Sequence, residues 1–118
     1  MAYDLITHLH RQAAWSHANF GPGRRTGGVV DHVREELIEI EDAAEYEKRV
    51  VEWADVVILG CDGLLREIAT ELPHLTFDQV AERAVKTIVK KMLDNERRRW
   101  PDWRGKSEDE PINHIRED

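Results

Sequence analysis

The chain has 118 residues, a formal net charge of -7, and a composition of 41% hydrophobic and 35% charged residues with only 4 prolines. That length suits one domain with a real core and is too short for two independent ones, and the balance fits a soluble helical protein better than a disordered or all-β one. The acidity argues against a nucleic-acid polymer as the main partner, because gripping a phosphate backbone needs a basic surface, but single nucleotides stay open since acidic sites hold phosphates through divalent cations.

Cys61 is the only cysteine, so no intrachain disulfide framework is possible and a reducing cytoplasm is the expected setting. No apolar run has the length of a membrane span, and "MAYDLITHLHRQ" lacks the charged-then-apolar order of a signal peptide.

Four helices are expected in chain order. The first runs from about Asp4 to Ala18 and stops before "NFGPGRRTGG", whose glycines and proline mark a loop. The second spans about Gly28 to Glu41. Asp42 and Glu45 then have capping-box spacing, which would open a third helix reaching about Glu71, just before Pro73. Thr76 and Gln79 repeat that spacing and open a fourth, ending near Arg99 before Pro101. Residues 1–99 are expected to form the helical domain and 100–118 a polar tail carrying Trp100 and Trp103.

The acids of these helices are placed unusually. On the second helix, Val29, Val33, Leu37 and Ile40 form an apolar stripe, bordered by a polar sector of His32, Glu35, Glu36 and Glu39. Glu36 is nearest the apolar edge and should be the least solvated. The third helix is apolar almost all round from Val50 to Leu65, the pattern of a buried helix, yet Glu52, Asp55 and Asp62 share one stripe within about 80°. Either Lys48 and Arg66, on the same stripe, neutralise some of these acids, or divalent metal does. On the fourth helix the stripe of Phe77, Val80, Ala84 and Ile88 continues in phase into Lys91, Asn95 and Arg98, and so turns from apolar to cationic. Joined to the acid-bearing helices, it reads as the phosphate side of a metal site.

Glu35-Glu36-x-x-Glu39, twelve intervening residues, and Glu52-x-x-Asp55 form a pattern that resembles the all-α, MazG-like nucleoside triphosphate pyrophosphohydrolases. Lys91-x-x-x-Asn95-x-x-Arg98 is similar to that superfamily's phosphate-side motif. The likeness extends nearly end to end for the phage and bacterial dATP/dGTP pyrophosphohydrolases, through "FGPGRRTGGVVDH", "EWAD", "CDG", "NERRRWPDWR" and "INHIR". It implies a four-helix bundle assembling as a homodimer or as a homotetramer made of two dimers.

The resemblance further implies that Glu36, Glu39, Glu52 and Asp55 hold Mg²⁺ or Mn²⁺, about two or three ions to a site, with Glu35 assisting a further ion or the attacking water. On this reading the metal compensates the acids of the third helix. The implied reaction is water attack on the α-phosphorus of a nucleoside triphosphate, with dGTP and dATP as expected substrates. Lys91 and Arg98 would neutralise the departing pyrophosphate. Asn19 and Phe20, at the mouth of the Gly-Pro loop, rank first for reading the base, whereas core packing is the expected role for most of Trp15, Trp53, Trp100 and Trp103.

Two rival classes are weaker. A ferritin-like di-iron bundle needs two Glu-x-x-His motifs, and the only such spacing, Glu71 to His74, contains Pro73. A non-catalytic helical interaction module accounts for the amphipathic helices and leaves the acidic stripe unexplained.

Overall fold

Asp4 starts the first helix as an N-cap, its carboxylate accepting the Thr7 N–H at 2.8 Å. The computed structural model describes residues 3–116 and contains four α-helices, with no strand among the described residues. α1 (Leu5–Phe20) ends where Gly21 takes φ 80°, a left-handed conformation that favours glycine. It runs two residues beyond the expected Ala18, and α2 (Thr26–Asp42) begins two before the expected Gly28, so the loop between them is shorter than its punctuation suggests.

α3 (Tyr46–Glu71) does not use the capping box expected of Asp42 and Glu45. Asp42 is the last residue of α2, and Glu45 is the N-cap without any side-chain hydrogen bond. The same spacing is realised at α4 (Phe77–Arg97). There the Gln79 N–H donates to Thr76 Oγ1 at 3.2 Å and the Thr76 N–H donates to Gln79 Oε1 at 2.9 Å. An acid still inside the preceding helix cannot turn back to cap the next one.

The chain divides into two compact units, Met1–Val85 and Lys86–Asp118, and α4 contributes to both. In the first, α2 and α3 pair as an antiparallel hairpin, with Val29 beside Gly63. α1 runs parallel to α3, its Gln12 amide donating to the Ile58 carbonyl and its Ser16 hydroxyl to Asp62, four residues further on in both helices. Leu9 and Ala13 of α1, Leu65 of α3, and Val80, Ala81 and Ala84 of α4 form the buried core. Cys61 packs half-buried against it, and burial pushes its thiol above the ordinary value, as an inert filler would show.

One polar cluster lies inside this unit. The Arg66 Nε–H donates to Asp62 at 2.9 Å, while its terminal nitrogens donate to Ser16 Oγ and to the carbonyls of Gly21 and Gly23, each at 2.9 Å. Buried arginine thus ties α1, α3 and the intervening loop together. At the surface, Arg24 bonds Glu67 and Glu71.

The expectation that α3 is buried all round is not met within one chain. Val50, Val51, Trp53 and Val57 are all about half exposed or more, because α1 and α2 cover only part of its circumference. No described helix is long and apolar enough to cross a membrane.

In the second unit the segment after α4 folds back on itself. The Trp100 indole N–H donates to the Asn95 carbonyl at 2.8 Å, the Trp100 ring meets His114 edge-on, and the Ile115 N–H donates to the Arg99 carbonyl at 2.7 Å. A 3₁₀ turn, Trp103–Gly105, carries the exposed Trp103 ring with Arg104 over its face.

Two substitutions separate the buried tie from the surface one. Arg66→Met leaves the Asp62 charge buried without its partner and should lower stability by about 3–5 kcal/mol, the usual cost of breaking one side of a buried pair. Arg24→Met should leave the melting temperature nearly unchanged, because solvent screens an exposed pair. Thermal melts of both variants check the contrast, and a nearly unchanged melting temperature for Arg66→Met would mean that the Arg66 cluster is not a stability determinant.

Candidate metal centre

The antiparallel register of α2 and α3 sets Glu36 and Glu39, one turn apart on α2, against Glu52 on α3. One carboxylate oxygen from each lies within 4.8 Å of the others. Glu36 is the only buried residue of α2, as its place beside the apolar stripe requires, and Glu52 is equally buried at 8% exposure. Glu39 reaches the cluster from the exposed side.

This gathering is electrostatically unfavourable in the bare protein. The Glu36 carboxyl is the main influence holding Glu52 above its ordinary pKa, with burial and the Asp55 charge adding to it. Glu39 is raised chiefly by Glu52, against the opposing pull of Lys48. His32 Nε2 lies 3.4 Å from Glu36 Oε1, one helical turn away. Glu36 Oε2 and Glu52 Oε2 are buried with no hydrogen-bond partner in the protein.

Two orphaned buried carboxylate oxygens are costly unless something outside the protein's own donors meets them. A hard divalent cation does, since it prefers oxygen ligands and gains from several anionic ones. The donor set contains no sulfur, and His32 sits at its edge. The residues present therefore fit a hard cation.

The remaining expected site residues are distributed unevenly. Asp55 is half-buried and stands one turn on from Glu52, near enough for its charge to act there but outside the tight triad. Glu35 is exposed and also outside it. Asp62 belongs elsewhere. Its two oxygens accept from Ser16 at 2.6 Å and Arg66 at 2.9 Å, so arginine and serine compensate this acid and the expectation that metal compensates all three on α3 is corrected. The physical reason is pitch: ten residues separate Asp62 from Glu52, about 15 Å along the helix.

Asn19 and Phe20 are not brought to the carboxylates of their own chain. Ser16 is already level with Asp62, and both residues lie further along α1. Asn19 donates its side-chain amide to the Trp15 carbonyl, and Phe20 meets Trp15 edge-on with the Arg25 guanidinium 5.7 Å from its ring centre. The expectation of core packing is corrected for Trp15, Trp53 and Trp103, which are all more than half exposed. Trp100, 45% exposed, is fixed within its own unit by the Asn95 carbonyl and His114.

In the second unit, Lys91 is exposed and Asn95 half-buried on one face of α4. The Arg98 guanidinium donates to Asn95 Oδ1 at 3.3 Å, so these two members of the motif touch. Sequence reasoning overlooked Ser16, whose partners are 46 and 50 residues away, and gave no role to His32, whose i, i+4 spacing to Glu36 was a readable signal.

No curated protein and no solved structure shows significant similarity to the chain. The family model for dATP/dGTP pyrophosphohydrolase, however, matches residues 8–118. Spanning nearly the whole sequence, that match shows that the chain belongs to the dATP/dGTP pyrophosphohydrolase family and is a nucleoside triphosphate diphosphatase.

Proposed function

We propose that the protein converts dGTP and dATP to their monophosphates and pyrophosphate, using divalent metal held by Glu36, Glu39, Glu52 and Asp55. The observation carrying this reading is the carboxylate triad whose two buried oxygens have no partner in the protein. A bound Mg²⁺ or Mn²⁺ would supply a more acidic water and stabilise charge on the attacking and leaving oxygens.

The chain's own groups take the other roles. Glu36 and Glu52, withdrawn from solvent, keep the centre dry and anionic, while exposed Glu35 is placed to orient water or a further ion. Lys91 and Arg98 neutralise the β and γ phosphates, and Asn95 orients Arg98 through its amide oxygen. No covalent nucleophile is required. Asn19 and Phe20 lie beyond Ser16, which is level with Asp62 rather than with Glu52, so base reading by them would draw on a second subunit. The exposed Val50, Trp53 and Val57 on α3 and Ile38 on α2 support such a homodimer or homotetramer.

Turnover tests the ligands directly. Glu39→Gln or Asp55→Asn should abolish pyrophosphate release from dGTP while the metal-free variant melts no lower than the parent, since each removes a ligand and relieves repulsion among the remaining carboxylates. Parental turnover in either variant would overturn the assignment. Hydrolysis in ¹⁸O-labelled water should place the label in the monophosphate; label in pyrophosphate would assign the attack to another phosphorus.

A pH series tests the carboxylate centre in metal-free buffer. Glu39 and Glu52 bind their protons more tightly in the folded than in the unfolded chain, so metal-free stability should rise as pH falls through their raised folded pKa values and drop as pH rises through them. Saturating Mg²⁺ should stabilise the protein most on the alkaline side of that range, where the carboxylates are charged. A melting temperature insensitive to Mg²⁺ at all pH values would remove the metal from this reading.

A further inference from the structure

Glu36 stands between unlike neighbours. Glu39, one turn toward the end of α2, and Glu52, across the hairpin, make one side of it anionic. One turn toward the start of α2 is His32, whose Nε2 lies 3.4 Å from Glu36 Oε1. Helical side chains lean toward the N-terminus of their own helix, so the backbone itself carries the Glu36 carboxylate toward the His32 ring. Asp31, beside His32 in the chain, is engaged by Arg34 at 3.0 Å, and Glu36 rather than Asp31 is the carboxylate that meets the ring.

The two oxygens of Glu36 therefore have different surroundings. Oε1 faces His32, while Oε2 is buried with no hydrogen-bond partner in the protein. That division needs a cause. The terminal torsion of a glutamate is soft and nearly two-fold, so α2 alone does not fix which oxygen turns toward the other acids. Like charges close by would make a freely turning carboxylate swing away from them. A donor on Oε1 offsets that repulsion and holds the rotation.

His32 has the place and the chemistry for this. Its side chain is 55% exposed against 10% for Glu36, so the ring stands on the solvent side of the carboxylate. It lies outside the group of acids whose ligand atoms come within 4.8 Å of one another, and so acts from beyond the ligand set. The neutral tautomer with its proton on Nε2 and the imidazolium both present an N–H to Oε1, which makes the role the same for either charge. The separation is just beyond the ordinary N–H···O range, and a ring shift of a few tenths of an ångström closes it.

We propose that His32 is a positioning residue: its Nε2–H, facing Glu36 Oε1, keeps Oε2 turned into the carboxylate centre so that Glu36 can serve as a metal ligand. This role rests on the metal reading above and adds to it a residue outside the carboxylates.

Mn²⁺ titrated by calorimetry into the full-length protein, without nucleotide, tests the role. His32→Leu should weaken Mn²⁺ binding roughly tenfold or more, the usual loss when the outer partner of a metal ligand is removed, with the helical circular dichroism unchanged. His32→Gln, whose amide N–H can take the place of the ring N–H, should recover most of that loss. Neither change is expected of a ring that only packs on the surface. His32→Ala replaces His32→Leu should the latter misfold. In dGTP turnover, His32→Leu should need more Mn²⁺ to reach half its maximal rate, while KM for dGTP at saturating Mn²⁺ stays at the parent value. Mn²⁺ held as tightly by His32→Leu as by the parent, or no more tightly by His32→Gln than by His32→Leu, would overturn the role and leave the metal centre standing. A raised KM at saturating Mn²⁺ would place His32 on the substrate and overturn it too. A parent protein that binds no Mn²⁺ would instead overturn the metal reading, and this role with it.

Discussion

The antiparallel register between α2 and α3 is the constraint on which the candidate centre depends. Each helix alone carries acids that solvent would satisfy. Only their pairing, fixed where Val29 lies beside Gly63, brings Glu36 and Glu39 opposite Glu52 and removes two oxygens from water without giving them a donor. A shift of one residue along either helix would turn the carboxylates about 100° away from one another. The hairpin thus holds anionic oxygens together against their repulsion, and the surrounding packing must supply the energy for that.

α3 handles its buried acids in two different ways, about three turns apart. Asp62 has arginine and serine on its oxygens, and its cluster is closed: every donor of Arg66 finds an acceptor. Glu52 has neither, and its neighbours are further acids. The contrast separates a charge satisfied by its own chain from one that is not. A satisfied pair fixes the α1–α2 loop, whereas an unsatisfied group is poised to gain from a ligand.

The hydrophobic pattern shows a similar division. The core of the first unit is built from only a few buried side chains of α1, α3 and α4, while Val50, Trp53 and Val57 remain in solvent on the same helix that supplies Leu65. That distribution leaves one side of α3 without a neighbour from its own chain. It also places Trp15 and Phe20, joined edge to face with Arg25 over Phe20, on the outside, where another molecule can reach them.

The sequence by itself determined the elements and the class of chemistry. Helical periodicity, the Thr76–Gln79 box and the prolines located four helices, and the spacing of Glu36 with Glu39 and of Glu52 with Asp55 put each pair on one helix face, because i, i+3 partners must leave the same face of any α-helix. Family membership was likewise written in motifs that survive without coordinates. What the tertiary structure decided was which neighbour each charge receives. Arg66, one turn on from Asp62, is a local signal that sets it apart from Glu52, but the other oxygen of Asp62 is met by Ser16, 46 residues away. The failed box at Asp42, the exposure of α3 and the offset of Asn19 from the acids have the same origin. A helix wheel gives the direction of a side chain, but the register and coverage of neighbouring helices are set by long-range packing that no single segment encodes.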